Sequence, residues 1–185
     1  VHARLIAPSM GGIGLLWEQN VVSVGQEHLA TAISHGVAAR LFPRAMRAAP
    51  RSRERVLLAA VQGEHHVLGL RLVADVLEGA GYDVLFMGAD VPLAALLEAC
   101  RIHEPDDLGL GVSMGLNVPT LIWNLEEVAK LERPPAIMLG GRGIDPALLS
   151  DVNAPVVASS EEVLGVVAGL LAGPRASRVV GRGLA

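Results

Sequence analysis

The chain has 185 residues, 51% of them hydrophobic, and a formal net charge of −4, which provides for one core plus a small appendage and excludes the basic face that phosphate binding needs. A mean hydropathy of +0.45 excludes disorder over most of the length, yet no apolar run reaches the roughly 18–20 uncharged residues that cross a bilayer. A single cysteine, Cys100, excludes an internal disulfide framework and, with no signal peptide visible, suits a reducing cytoplasm.

Residues 1–50 read as helical. Leu5, Ile6, Met10, Ile13 and Trp17 recur at helical spacing, and the chain opens at Val1 already in that rhythm, so a fragment with a missing N-terminal segment is expected. Asn20 offers an exit turn. Ser23 followed by Gln26 is a capping-box pair that opens a helix to about Leu41. On it Leu29, Ile33 and Val37 form an apolar stripe, and His28, Thr31 and His35 a polar one. Pro43 and Pro50 close the region. The arginines at Arg40, Arg44, Arg47, Arg51, Arg53 and Arg55 read as a solvated linker ahead of a partner-docking surface.

From Arg55 the rhythm alternates between strands and helices. Strands are predicted at Val56–Val61, Asp83–Met87, Leu108–Ser113, Ala136–Leu139 and Ala154–Ala158. A turn at Gly63 and a helix to about Glu78 follow the first. Asp90, Val91 and Pro92, with Pro92 in a first helical position, lead from the second into a helix reaching Arg101. An amphipathic helix with Val118, Leu121, Ile122, Leu125 and Val128 follows the third, and a capping box at Ser159 and Glu162 opens the last. Strands apolar throughout, each followed by an amphipathic helix, indicate a parallel sheet covered on both faces. The expected fold is α/β, a flavodoxin-like (Rossmann-type) five-stranded doubly wound sheet over residues 55–185, preceded by a partial helical cap over residues 1–50. Its ligand belongs beyond the carboxyl ends of the strands, where Asp90 and Val91 come near it by position alone.

The most informative stretch is Gln62-Gly63-Glu64-His65-His66-Val67-Leu68-Gly69. An imidazole at the end of the first strand projects over the crevice, and neutral imidazole is a good ligand for a metal such as cobalt. Ligating histidines commonly donate their second ring N–H to a carboxylate, and Glu64 is placed to accept it from His66. His65 is equally basic but lacks that spacing. Gly69 removes a side chain where a bulky group has to pass. Taken singly, His66 would read as a helix-start cap, and Gly140-Gly141 as a turn.

Together, Glu64-x-His66-x-x-Gly69, Ser113-Met114-Gly115-Leu116 and Gly140-Gly141 resemble the Asp-x-His-x-x-Gly, Ser-x-Leu, Gly-Gly signature of cobalamin-binding domains. Glu64 stands where the wider family has Asp, and the leucine of Ser-x-Leu is displaced by one. The resemblance implies that His66 replaces the cofactor's own base on cobalt, and that the displaced nucleotide tail passes Ser113, Met114, Leu116 and the Gly140-Gly141 pair.

A second set lies in the helical part: Trp17, and ten residues on, Glu27-His28. It resembles the Trp-x9-Glu-His motif in the cap of CarH-type B12 photoreceptors, light-dependent regulators of the MerR family, where these residues surround the adenosyl group on the upper face of the corrin. Some members carry a His directly after the Trp. Here that position is Glu18, which leaves His28, His35 or water to take the upper site after photolysis. The family's cap is a four-helix bundle, of which about two helices are visible. Trp123 reads as a packing residue, and Cys100 and His103 as ordinary helix-end residues.

The resemblance implies a light-sensing regulatory module with no catalysis of its own, loaded with adenosylcobalamin, or with methylcobalamin or hydroxocobalamin. Its output would be a light-dependent homo-oligomer or a protein regulator controlling transcription, with no nucleic-acid or membrane contact by this chain. The alternatives are a corrinoid carrier or subunit of a B12-dependent methyltransferase or mutase, and a flavodoxin-like module without cobalamin. Trp17, Glu27 and His28 separate the first reading from the second. No P-loop or nucleophile–base pair suggests an independent enzyme.

Overall fold

The computed structural model describes residues 2–45, 54–145, 152 and 154–172. Strands β1 (Arg55–Val61), β2 (Asp83–Val91), β3 (Asp107–Gly111), β4 (Ala136–Gly140) and β5 (Val156–Val157) form one parallel sheet in the order β2-β1-β3-β4-β5. Strand residues alternate between faces, and both faces of β1 are buried. Leu57, Ala59 and Val61 pack against Leu96 of α4 (Leu93–His103) and Leu121, Leu125 and Val128 of α5 (Val118–Ala129). On the opposite face Val56 and Leu58 pack against Ala74 and Leu77 of α3 (Leu68–Gly79) and Val163 and Val167 of α6 (Val163–Ala172). The sheet is doubly wound, as the uninterrupted apolar strands required.

Several boundaries differ from the sequence expectation. β2 runs to Val91 rather than Met87, because after a bulge at Gly88 (φ +84) and a left-handed Asp90 (φ +51) the chain re-pairs Val91 with Val61. β3 stops at Gly111, short of Ser113, although Val112 N–H still donates to Gly140 O at 2.9 Å. β5 keeps only two residues. Pro92 is extended (ψ 142) and caps α4 instead of beginning it. The predicted reach from Glu162 to Ser159 is not made, since the Glu162 carboxylate accepts from Ala158 N–H at 3.3 Å, one residue earlier.

The N-terminal part is a π-helical turn (His2–Ile6), α1 (Ala7–Glu18) and α2 (Val24–Ala45), folded back on each other through a turn in which Asn20 has φ +58. The capping box forms: Ser23 N–H donates to Gln26 Oε1 at 2.8 Å, and Gln26 N–H to Ser23 Oγ at 3.3 Å. α2 continues past Pro43, whose missing N–H costs the helix one bond near its end rather than at its middle. Arg40 lies in α2, with its guanidinium on Gly36 O. Arg55 opens β1, held by Asp83 and the His103 carbonyl. Neither is linker, while Arg47, Arg51, Arg53 and Pro50 fall outside the described residues. Ile6, Met10 and Ala38 pack on Leu68 and Leu72 of α3, joining the helical part to the sheet domain. The apolar stripe of α2 does not face that junction. Leu29 and Ile33 are 62% and 58% exposed, while Glu27 and Thr31 are partly buried.

Candidate functional site

From β1 the chain moves outward to β2, then crosses back to β3 and onward to β5, so the carboxyl ends of β1 and β3 flank a crevice. Three connections meet there: residues 62–67 after β1, 112–117 after β3, and 141–143 after β4.

The first is fixed around Gly63 and Glu64. Gly63 takes φ +87, a conformation that side-chain-bearing residues rarely adopt, and its N–H donates to Asp90 Oδ1 at 2.8 Å. Glu64 N–H donates to Val61 O, and Glu64 O accepts from Asp90 N–H, both at 2.9 Å. This turns the Glu64 side chain inward, where it is fully buried. Its Oε1 accepts from His66 N–H at 2.8 Å and pairs with His66 Nδ1 at 2.7 Å. Its Oε2 accepts from Ser113 N–H at 2.7 Å, Met114 N–H at 3.0 Å and Asn117 Nδ2 at 3.1 Å. Burial alone would raise the carboxyl pKa, but the donors from His66, Met114 and Ser113 outweigh it and bring the pKa down to about 2.

An ionised carboxylate can only accept, so Nδ1 carries the hydrogen of this pair, and in the neutral ring Nε2 is then the nitrogen with the free lone pair. The His66 side chain is 54% exposed and Glu64 0%, so the imidazole stands in the crevice on a buried anionic base. That arrangement fits a metal ligand. His65 is also exposed, but no Glu64 bond goes to it. Among the described residues no three His, Cys, Asp or Glu side chains gather as a metal cage. His66 offers one donor, suited to a metal whose remaining positions are filled elsewhere.

The third connection supports the second. Gly141 has φ +122, and a Cβ there would lie 2.0 Å from Val112 O. One on Gly143 would lie 2.7 Å from the Met114 carbonyl carbon. Bare backbone packing at these two glycines holds the Ser113 and Met114 N–H groups in line with Glu64. Gly140 carries no such demand, since its added Cβ would only touch Val157 O at 3.6 Å. At Gly69 an added Cβ meets nothing within 4 Å, so the protein itself does not require glycine there. Leu116 is 74% exposed, and Ser113 and Met114 are partly buried. Val91 lies in the core, and the Asp90 carboxylate braces Gly63.

The α1 helix approaches the same end of the sheet. Arg142, one residue past Gly141, has Nη2 4.0 Å from Glu18 Oε1, and Nη1 3.4 Å from where a Cβ on Gly14 would sit. Trp17, beside Glu18, is 40% exposed. On α2, Glu27 Oε2 pairs with His28 Nδ1 at 2.7 Å, and Glu27 Oε1 accepts from Thr31 Oγ1 at 2.7 Å. The structure thus joins Glu27 to His28, but His28 remains largely in solvent.

Asn117 escaped the sequence reading. Directly before Val118-Pro119 it looks like an ordinary helix cap, yet its side chain makes no cap bond, and its Nδ2 instead donates to Gly63 O and Glu64 Oε2. Trp123, expected to pack, is half exposed on α5. Cys100 is buried, and that burial, opposed only by Arg101, pushes its thiol up to about 11.

A parallel sheet with its crevice at the switch point and one carboxylate-anchored imidazole defines a cofactor-binding module. Residues 54–168 match the B12 binding domain, and the chain belongs to that family. It is 32% identical over 155 residues to the HTH-type transcriptional repressor CarA of Myxococcus xanthus, covering 82% of this chain and 53% of that protein. It is 36% identical over 108 residues to the repressor CarH of the same organism, covering 58% of this chain and 35% of that one. The chain therefore spans about half the length, or less, of these curated relatives. In fold it is similar to the monomethylamine corrinoid protein of Methanosarcina barkeri, with a TM-score of 0.77 at 18% identity, covering 89% of this chain and 80% of that one. No helix among the described residues is long and apolar enough to cross a membrane.

Proposed function

We propose that this chain is a cobalamin-dependent light-sensing and regulatory module, with His66 as the lower ligand to cobalt and Trp17, Glu27 and His28 bordering the upper face. The observation that carries the binding half is the Glu64–His66 pair, which holds Nδ1 of a half-exposed imidazole and leaves Nε2 as the ring nitrogen open to a metal. Ser113, Met114, Leu116 and Gly140-Gly141 line the path of the displaced nucleotide tail, and Gly69 leaves room beside the corrin. Adenosylcobalamin in this site would supply a cobalt–carbon bond that visible light cleaves.

The residues of the chain do the rest. Glu64 holds the ring of His66, and Trp17 and the Glu27–His28 pair would pack about the upper group. The helical part meets the sheet domain through Arg142 and through the Ala38–Leu68–Leu72 junction. Loss of an upper group held there would remove packing on one side of that junction and could thereby shift the helices relative to the sheet domain. The readout is a changed oligomer or a changed contact with a protein regulator, and through it transcription. Likeness to CarA over 82% of the chain, more than residues 54–185 can supply, supports extending the reading into the helices.

A corrinoid carrier is the second reading, favoured by the fold likeness to a corrinoid protein, which also takes in the helical part. The helices therefore do not discriminate, whereas Trp17, Glu27 and His28 do. The test is one preparation loaded with adenosylcobalamin in the dark, its absorption spectrum and elution volume recorded before and after green light. Sensing predicts a spectral change accompanied by a change in size or partner affinity. Full photolysis with both unchanged would leave the carrier reading.

A further inference from the structure

We propose that Asn117 is a positioning residue for the lower-ligand imidazole, acting through Glu64 and Gly63. Asn117 ends the 3-10 turn Gly115–Asn117 and is 4% exposed. Its Nδ2 donates to Glu64 Oε2 at 3.1 Å and to Gly63 O at 3.3 Å, and its Oδ1 lies 3.0 Å from where a Cβ on Gly63 would be. Glu64 Oε2 takes its other two bonds from the backbone of Ser113 and Met114. Asn117 is thus the one described side chain, besides His66, that bonds this carboxylate.

The consequence follows from how the two oxygens divide their work. Oε1 faces His66 alone, while Oε2 faces the connection after β3. Rotation of the carboxylate about its last torsion would move both oxygens together, and with them the ring nitrogen bonded to Oε1. Two backbone donors on one connection leave that rotation partly open. A third donor, on a side chain that also grips the Gly63 carbonyl, closes it and ties the carboxylate to the peptide that precedes it. Asn117 is suited to this because its amide donates two hydrogens from one rigid, neutral plane. Aspartate would set a second anion against Glu64, and leucine of similar size would leave Oε2 and the Gly63 carbonyl each one donor short.

The proposal rests on His66 being the lower ligand, and the test separates the two claims. Protein with histidine labelled in heavy nitrogen is loaded with cobalamin, reduced to cob(II)alamin, and read by electron paramagnetic resonance. An axial nitrogen from the protein then splits the cobalt lines into doublets, whereas the cofactor's own base gives triplets. Wild type should show doublets and His66→Ala should lose them. Asn117→Leu should bind corrinoid with the doublet fraction lowered by about 10-fold or more, in the range seen when outer partners of ligating histidines are removed. If Asn117→Leu fails to fold by circular dichroism, Asn117→Ala takes its place with the same expectation. Wild-type doublets in the folded Asn117 variant would overturn the proposal while leaving His66 in place. Loss of all corrinoid binding in that variant would overturn it too, in favour of a purely structural role. Doublets that persist in His66→Ala, or are absent from wild type, would overturn the ligand assignment and the proposal with it.

Discussion

Oε1 of Glu64 serves His66 alone, accepting its backbone N–H at 2.8 Å and pairing with its ring Nδ1 at 2.7 Å. One oxygen thus fixes both where the residue's backbone lies and which way its ring faces. Glu64→Gln keeps the shape but exchanges one acceptor oxygen for a donor, so either the His66 pair or the three donors at Oε2 lose their partner. Stranding buried donors costs about 1–3 kcal/mol each. We expect a lowered Tm and, in the cobalamin-loaded protein, a loss of the histidine-ligated absorption spectrum.

Protons test the same carboxylate. Its pKa of about 2 in the folded chain, against 4.5 for the ordinary group, means that folding favours the ionised form. The resulting stability is fully present above about pH 4.5 and is lost as pH falls from there towards 2. Each pKa unit is worth about 1.4 kcal/mol, which makes the whole contribution about 3 kcal/mol. Denaturant midpoints followed from neutral pH down through that window should fall more steeply for wild type than for Glu64→Gln. Parallel slopes would show that Glu64 is not the group responsible.

Much of this was legible in the residues, and the failures have physical causes. Unbroken apolar strands point to the parallel sheet, and the two-residue spacing of Glu64 and His66 points to the carboxylate–imidazole pair. The pattern ends β2 at Met87 because Gly88 reads as a breaker, whereas a bulge lets Val91 rejoin Val61. Asn117 was hidden because an asparagine before a helix has a sufficient local explanation, and only the tertiary fold brings it to Glu64. Ser113 is singled out in the sequence for the path of a nucleotide tail, and the bond from its backbone N–H to the Glu64 carboxylate is a separate role that only the tertiary fold reveals. On α2 the pattern revealed two stripes but not which of them faces inward.

Two glycines separate the demands of the fold from those of a ligand. Gly141→Ala places a Cβ 2.0 Å from Val112 O at φ +122, so its Tm should drop, with backbone strain alone on the order of 1–3 kcal/mol. Gly69→Ala meets nothing within 4 Å beyond its chain neighbours and its own helix backbone and sits in the first turn of α3. There alanine should leave stability unchanged or raise it by up to about 1 kcal/mol. If a corrin passes over that turn, the same methyl lowers cobalamin affinity while the fold gains. Unchanged affinity in Gly69→Ala would remove that residue from the site.

The outward stripe on α2 makes a prediction opposite to the usual one for apolar helix positions. Ile33 is 58% exposed, whereas Ala38, just over one turn on, is 1% exposed and packs with Leu68 and Leu72. Ile33→Glu should therefore change the stability of this chain by no more than about 0.5 kcal/mol, as for other surface substitutions. Ala38→Glu must either bury a charge or part α2 from α3. Either outcome should cost several kcal/mol, on the order of 3 or more, and release the helices from the sheet domain. Limited proteolysis reads this directly: Ala38→Glu should expose α2 to cleavage while the sheet domain stays protected, and Ile33→Glu should digest like wild type. Equal digestion of the two variants would mean that the contact of Ala38 with α3 does not hold the helical part in place.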